Sequence, residues 1–489
     1  MGDPRYFGGD IPFVKIADVT ASDGLKVTTT ETTVTSEGSK RSRLIEAGRL
    51  ILTNSATVCV PIFLGVDACI HDGFVAFDDL PEGVDQKYLF YFFKYIRPYV
   101  LHENKQGVTQ VNLNTAIVGN MRLLLAPFNE QRRIVSKIEE LFSELDKGVD
   151  GLTTAQTQLK SYRHAVLKHA FEGKLTANWR ANNPDKLETR DALLSHIRDE
   201  REARYAKAIE CWRVAVDAWR TGGGVGIKPS KPVRPEWPEA FDYSDLPPLP
   251  KGWTYIPFEA LAYSIRNGIS QKPEETGALK IFRISAVRPL AFDLTDVRYL
   301  NDSGQYKSYK LRRGDLVFTR YNGSRAYVGV AAVYNGDETH VYPDKLIRCD
   351  VTSATMNTGF LEKAVNCGTS RAFIESRIRT TAGQAGISGG DLKAMPVAIC
   401  APDEQAQINS ILDVQLSQIA KLEADIEAEL RKSDVLRQSI LKKAFSGQLV
   451  AQDPGDEPAS LLLTRIRAQN DASGVNQKKT NKNGKKEAA

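Results

Sequence analysis

The chain contains no C-x-x-C pair. Its six cysteines (Cys59, Cys69, Cys211, Cys349, Cys367 and Cys400) are scattered through 489 residues. That spread argues against a zinc site and reads as reduced thiols of a cytoplasmic protein. No apolar run approaches the roughly 20 residues needed to span a bilayer. The opening MGDPRYFGGD has neither the basic start nor the apolar stretch of a secretory signal, so no membrane role is expected. There is no G-x-x-x-x-G-K-[S/T] loop and no G-x-G-x-x-G after a strand; GGGVG at 222–226 lies in a Pro-rich stretch. The Asn/Asp-Pro-Pro-aromatic tetrapeptide of amino-methyltransferases is also missing. The six histidines are dispersed, and His164 and His169 have no histidine counterparts in the repeat described below. These gaps predict a chain with no catalytic residues, no metal and no bound cofactor.

The sequence does contain a duplication. KHAFEGKL at 168–175 returns as KKAFSGQL at 442–449, an offset of 274 (442 − 168). At the same offset Arg163 matches Arg437, Glu130 matches Glu404 and Gln131 matches Gln405. Upstream, IPFVKIADVT (11–20) parallels LKIFRISAVRP (279–289), and EAGRLILTN (46–54) parallels LRRGDLVFTR (311–320), with small gaps. These segments alternate and are rich in Val, Ile and Phe, as strands are. Between strands and octamers, apolar residues recur at steps of three and four with small slips: Ile134, Ile138, Leu141 and Leu145 in one copy, Ile408, Leu412, Leu416, Ile419, Leu422, Ile426, Leu430, Leu436 and Ile440 in the other. That spacing predicts two long amphipathic helices with a coiled-coil seam. Asn129 and Asp403 are candidate N-caps, and Gly173 and Gly447 end the helices.

A helix cannot bury an apolar stripe alone, so the two helices are expected to pair with each other. Periodicity permits either direction; antiparallel is favoured, with pairing across two copies as the alternative. The fold class is therefore α+β: two strand-rich mixed domains joined by two long helices in an antiparallel coiled coil, a pseudo-two-fold internal repeat. A charged helical stretch (190–220) echoes SLLLTRIRAQ at 460–469, and residues 221–250 read as a Gly/Pro linker. The Lys-rich end QKKTNKNGKKEAA reads as a solubilising tail, and the net charge of +5 permits nucleic-acid binding without requiring it.

Candidate contacts lie in loops that mix cations with amide and hydroxyl side chains. In the first domain they are Lys40, Arg41, Arg43, Asn54, Ser55, Lys105, Gln106 and Thr109. In the second they are Arg283, Arg320, Tyr321, Asn322, Ser324, Arg325, Arg379, Thr380 and Gln384. Arg and Lys suit phosphates and guanine edges, and Asn and Gln can pair with adenine.

The whole pattern resembles the specificity subunits of type I restriction–modification systems. The residues that carry the likeness are Pro127, Asn129, Glu130, Gln131, Arg132, Arg133 and Ile134, then Ala170, Phe171, Gly173 and Leu175. They recur as Pro402, Asp403, Glu404, Gln405, Ala444, Phe445, Gly447 and Leu449, and Leu249, Pro250, Gly252 and Trp253 open the second domain. The resemblance implies a target recognition domain at 1–125 and a second at 249–398. Spacer helices follow at 126–180 and 399–450, the charged helix and linker occupy 181–248, and a helix remnant with the tail occupies 451–489. About thirty residues precede the first matched strand of the second domain and ten that of the first, so the first is expected to lack its usual N-terminal segment. Each domain would read one half of an asymmetric split target in double-stranded DNA. Glu130, Gln131, Phe171, Gly173, Glu404, Gln405, Phe445 and Gly447 would belong to spacer helices that dock two methyltransferase subunits, with restriction subunits joining them. S-adenosylmethionine, ATP and magnesium would sit on those partners. The alternatives are the recognition half of a stand-alone methyltransferase system and a coiled-coil scaffold that binds no DNA.

Overall fold

The computed structural model describes residues 3–55, 57–103, 113, 115–234, 236–238, 242–301, 304–351, 353–381 and 383–472. The protein is α+β and forms two compact units, Met1–Ala155 with Asp425–Ala489, and Gln156–Ala424. The first long helix is Phe128–Phe171 and the second is Pro402–Phe445. Each unit therefore contains the opening of one long helix and the closing of the other.

In the first unit the strands are β1 (Phe7–Val14), β2 (Lys26–Val27), β3 (Thr32–Val34), β4 (Arg43–Ile45), β5 (Leu50–Thr53), β6 (Pro61–Leu64), β7 (Ala68–Ile70) and β8 (Phe74–Phe77). They form two four-stranded sheets, β3-β1-β7-β4 and β2-β6-β5-β8. Helix Gln86–Glu103 packs its aromatic face on the second sheet, with Phe63 and Phe90 rings stacked at 5.2 Å.

The second unit contains β9 (Thr254–Pro257), β10 (Ser264–Asn267), β11 (Leu279–Phe282), β12 (Val287–Arg288), β13 (Ala291–Phe292), β14 (Val297–Leu300), β15 (Leu316–Thr319), β16 (Tyr321–Asn322), β17 (Ala331–Val333), β18 (Leu346–Asp350), β19 (Arg379–Thr381), β20 (Gln384–Gly386) and β21 (Pro396–Ile399). Its largest sheet is β10-β18-β15-β17. The segment that follows Trp253 forms β9, which pairs antiparallel with β21, the strand leading into the second long helix.

The duplication extends to register. In the first unit Leu50 of β5 lies opposite Phe63 and Phe77; in the second, Leu316 of β15 lies opposite Val333 and Cys349. Each central strand is fully buried, as the near-continuous apolar runs LILT and LVFT require.

Both long helices end identically. Gly173 and Gly447 take φ of +70° and +71°. Lys174 donates to the His169 carbonyl and Gln448 to that of Lys443, both at 2.9 Å, closing the same glycine-terminated cap. The starts differ from expectation. The helices begin at Phe128 and Pro402, so Asn129 and Asp403 stand inside the first turn rather than capping it. Proline is suited to that first position because its missing N–H has no intrahelical acceptor there. Of the expected seam residues, Leu422 and Leu436 are 50% and 42% exposed. Arg437 takes the inward place beside Leu436, lying over the Phe142 ring and bridging to Asp146.

The described residues of the linker between 222 and 238 make contacts with the helix before it. Trp212 and Trp219 of the charged helix (Arg190–Thr221) donate to the carbonyls of Pro229 and Gly226, and Arg198 stacks on Trp237. The Pro-rich strand thus runs back along the helix that precedes it. Leu193 and Ile197 anchor that helix in the unit, while Arg201 donates to the carbonyls of Glu259, Ala260 and Ala262.

Candidate nucleic-acid interface

The second domain gathers six of its candidates on one small sheet. After β15 ends at Thr319 the chain turns through Arg320 into β16, which pairs with β20, and β20 pairs with β19. Arg320, Tyr321, Asn322, Arg379, Thr380 and Gln384 are thereby brought together, although 62 residues (384 − 322) separate the last from Asn322. The Arg320 N–H donates to the Lys345 carbonyl at 2.8 Å, and its own carbonyl accepts from Ile387 at 3.0 Å. Its guanidinium lies 4.8 Å from the Tyr321 ring centre. That ring lies against Gly386, where a Cβ would fall 2.2 Å from a ring carbon, so only glycine fits there.

Arg379, Thr380 and Gln384 are exposed, as are Ser324 and Arg325 on the loop that leaves β16. Asn322 accepts from the Ser324 N–H at 2.9 Å, and Arg325 donates to the Glu375 carbonyl at 2.9 Å, which fixes the loop's course. Burial pushes the Asp391 carboxyl up, but hydrogen bonds from Ser388, and then the charges of Arg379 and Arg377, bring it below its ordinary value. The surface therefore offers cations and amides on rigid backbone. Arg283 does not join it: Arg283 stands at the start of the 284–286 turn, 3.5 Å from the Asp296 carboxylate.

The first domain builds a different surface on the same frame. Asn54 holds the position that Arg320 holds in the second. Its N–H donates to the Gly73 carbonyl and its carbonyl accepts from Leu113, as the Arg320 carbonyl does from Ile387. Asn54, a candidate base contact, is 8% exposed, and its amide donates to the Asp72 carbonyl at 2.7 Å. Half-buried Ser55 lies beside that turn. Arg41 and Arg43 line a cleft with His71, Asp72 and Thr115. Arg41 lies 6.0 Å from the Tyr6 ring and Arg43 pairs with Asp78, while Lys40 is exposed. Lys105, Gln106 and Thr109 lie outside the described residues.

The repeated residues of the spacer helices are mostly interior. Gln131 is 0% and Gln405 1% exposed. The Gln131 oxygen accepts from the Asp85 N–H at 2.9 Å, and its amide donates to Gly83 and Ala126 carbonyls at 2.9 and 2.8 Å. Gln405 accepts from the Asn357 N–H at 2.9 Å and donates to Thr355 and Cys400 carbonyls at 3.3 and 2.8 Å. Glu404 is buried and accepts from Thr176 at 2.6 Å and Arg180 at 2.5 Å; Glu130 is buried as well. Phe445 packs against Tyr88, Phe92 and Tyr95, and Phe171 against Phe360. Nothing in the sequence separated these glutamines from surface residues, because a polar side chain in a first helical turn is ordinarily solvated.

Among the described residues no group of three or more His, Cys, Asp or Glu side chains is arranged to hold a metal, and no helix is long and apolar enough to cross a membrane. Five cysteines are buried free thiols and Cys211 is exposed.

Residues 3–150 match the type I restriction modification DNA specificity domain. The chain is 29% identical over 380 residues to the EcoKI type I restriction enzyme specificity subunit of Escherichia coli K12, covering 75% of this chain and 68% of that one. It is 28% identical over 235 residues to the StySPI specificity subunit of Salmonella potsdam, 46% of this chain and 50% of the relative. A solved structure described as showing complex assembly and conformational transition of the type I R-M system shares its fold, with a TM-score of 0.59, 16% identity, and coverage of 91% and 95%.

Proposed function

We propose that this chain is a specificity subunit of a type I restriction–modification system, a non-catalytic member of its complex, and that each of its strand-rich domains reads one half of an asymmetric bipartite DNA target. The observation that carries the reading is the pair of equivalent strand ends. β5 and β15 occupy the same register, yet one leads into Asn54–Cys59 and the other into the longer loop Arg320–Gly329 with its extra sheet. One frame with two different loops suits one reading mode applied to two sequences.

The long helices form an antiparallel pair that sets the separation of the half-sites. Support comes from Arg437 with Asp146 in one unit and Arg163 with Glu423 at 2.6 Å in the other, where partner numbers fall as helix numbers rise. The methyltransferase subunits dock on the outer faces of these helices. Val414, Leu422, Val435 and Leu436 of the second helix are exposed apolar side chains there, a role the interior glutamines and phenylalanines cannot fill. Restriction subunits join that core, and S-adenosylmethionine, ATP and magnesium belong to the partners.

The test is an exchange of residues 249–390 for the corresponding domain of another family member, followed by sequencing of methylated bases. One half of the methylated motif should change and the other should stay. A change in both halves would overturn the modular reading.

A further inference from the structure

Each strand-rich domain is held at two points by two different long helices, and the two attachments are copies of each other. In the first unit Asp85 caps helix Gln86–Glu103 by accepting from the Tyr88 N–H at 3.0 Å. The Asp85 N–H is itself held by Gln131, near the start of the first long helix. The same short helix is gripped from its other side by Phe445, at the end of the second long helix, through Tyr88, Phe92 and Tyr95. In the second unit Asn357 caps helix Thr358–Val365 by accepting from Phe360 at 3.0 Å, and the Asn357 N–H is held by Gln405. Phe171, from the end of the first long helix, meets Phe360 there at 5.1 Å.

A single apolar contact leaves a domain free to swivel about it. A second, directional attachment several residues away removes that freedom. Each glutamine is suited to this because its three hydrogen bonds all go to backbone, and none depends on side chains that vary with the sequence being read. Two of the three reach the recognition domain, and one reaches the carbonyl two residues before its own helix, Ala126 or Cys400. Both glutamines are buried, which limits the access of competing water to these bonds.

We propose that Gln131 and Gln405 are positioning residues that fix the angular register of each recognition domain on the helices and so enforce one spacing between the two half-sites. This rests on the bipartite reading proposed above and adds what holds the spacing. The glutamines touch no DNA; they act through the capping residues Asp85 and Asn357.

The experiment uses the full chain assembled with its methyltransferase subunits. The target is the motif found methylated in cells, presented with its natural spacer and with spacers one base pair longer and shorter. Gln131→Leu and Gln405→Leu remove all three bonds; Gln405→Asn, one methylene shorter and still polar, gives a second variant that is less apt to misfold. Gln158→Leu, at an exposed place on the first long helix, is the control. The expected result is that discrimination between natural and altered spacers falls on the order of tenfold in the clasp variants, while the bases required in each half stay the same. A uniform loss of rate at every spacer, or unchanged discrimination in a folded variant, overturns the positioning role and leaves the bipartite reading intact. If the unaltered protein directs methylation to a motif that is not split, the bipartite reading falls, and this inference with it.

Discussion

Gly173 and Gly447 share a backbone conformation but not an environment, and that difference is measurable. An L-residue in the left-handed region costs about 1–2 kcal/mol, so either glycine replaced by alanine should weaken folding by about that much. Around Gly447 nothing lies within 4 Å of a new methyl, whereas at Gly173 the methyl would fall 2.4 Å from Pro250 Cγ. Gly173→Ala should therefore lower the denaturant midpoint distinctly more than Gly447→Ala; equal shifts would mean that Pro250 moves aside freely. At this scale the sequence was legible wherever a residue type has one dominant use. The paired glycines were read as helix stops, and both are. The paired phenylalanines belong to the helix ends, and there they pack against each unit's own short helix. Asn54 and Arg320 close the two strand segments that the duplication pairs, and both read as candidate base contacts; the pairing does not show that Asn54 is buried while Arg320 is half-buried, because the turns that receive the two side chains differ.

Among the elements, the charged helix Arg190–Thr221 is the one whose role changed most between sequence and structure. The sequence marks it only as charged and helical, whereas in the structure Arg201 is buried against backbone carbonyls and Arg204 pairs with Asp350 while lying 3.8 Å from the Tyr263 ring centre. Glu200 receives Ser353 Oγ at 2.6 Å, Thr355 Oγ1 at 2.7 Å and the Ala354 N–H at 2.8 Å. Burial pushes this carboxyl up, but those hydrogen bonds outweigh it and hold the group below its ordinary value of 4.5. A depressed folded value means the contribution is complete above the unfolded value and is lost as pH falls through the folded one. Between neutral pH and about pH 5 the helix should stay docked, and below 4.5 its hold on residues 353–355 should weaken. Tryptophan fluorescence reports this directly, since Trp212, Trp219 and Trp237 all lie on this helix or the strand along it. Glu200→Gln should flatten the acid limb relative to the unaltered chain; an identical acid limb would show that other carboxylates drive it. The linker shows a related limit: Gly and Pro density signals the absence of regular structure and says nothing about contacts. The indole N–H groups that tie it down lie on a neighbouring element.

At the scale of the molecule, the interleaving of chain segments has a consequence for folding that no single domain boundary would suggest. The first unit ends its first stretch at Ala155 and resumes only at Asp425. What the later stretch supplies is not peripheral. Leu441, Ala444 and Phe445 belong to the same buried cluster as Tyr88, Phe92 and Ile134, Asp456 pairs with Arg133 at 2.5 Å, and Leu462 packs on Gly83. A fragment comprising residues 1–155 would leave the aromatic face of helix Gln86–Glu103 uncovered. Losing one buried phenylalanine contact of this kind costs about 3–5 kcal/mol, a large share of the 5–15 kcal/mol that ordinarily holds a domain together. The fragment alone should therefore melt without a sharp transition and bind a hydrophobic dye. Adding residues 425–472 as a separate peptide should restore a cooperative transition whose midpoint rises with peptide concentration, as mass action requires. A fragment 1–155 that melted cooperatively by itself, at a midpoint the peptide left unmoved, would show the first recognition domain to be complete without the end of the second helix. The repeated octamer would then be a helix terminus and no more; otherwise it is the part of each copy that completes the other's domain.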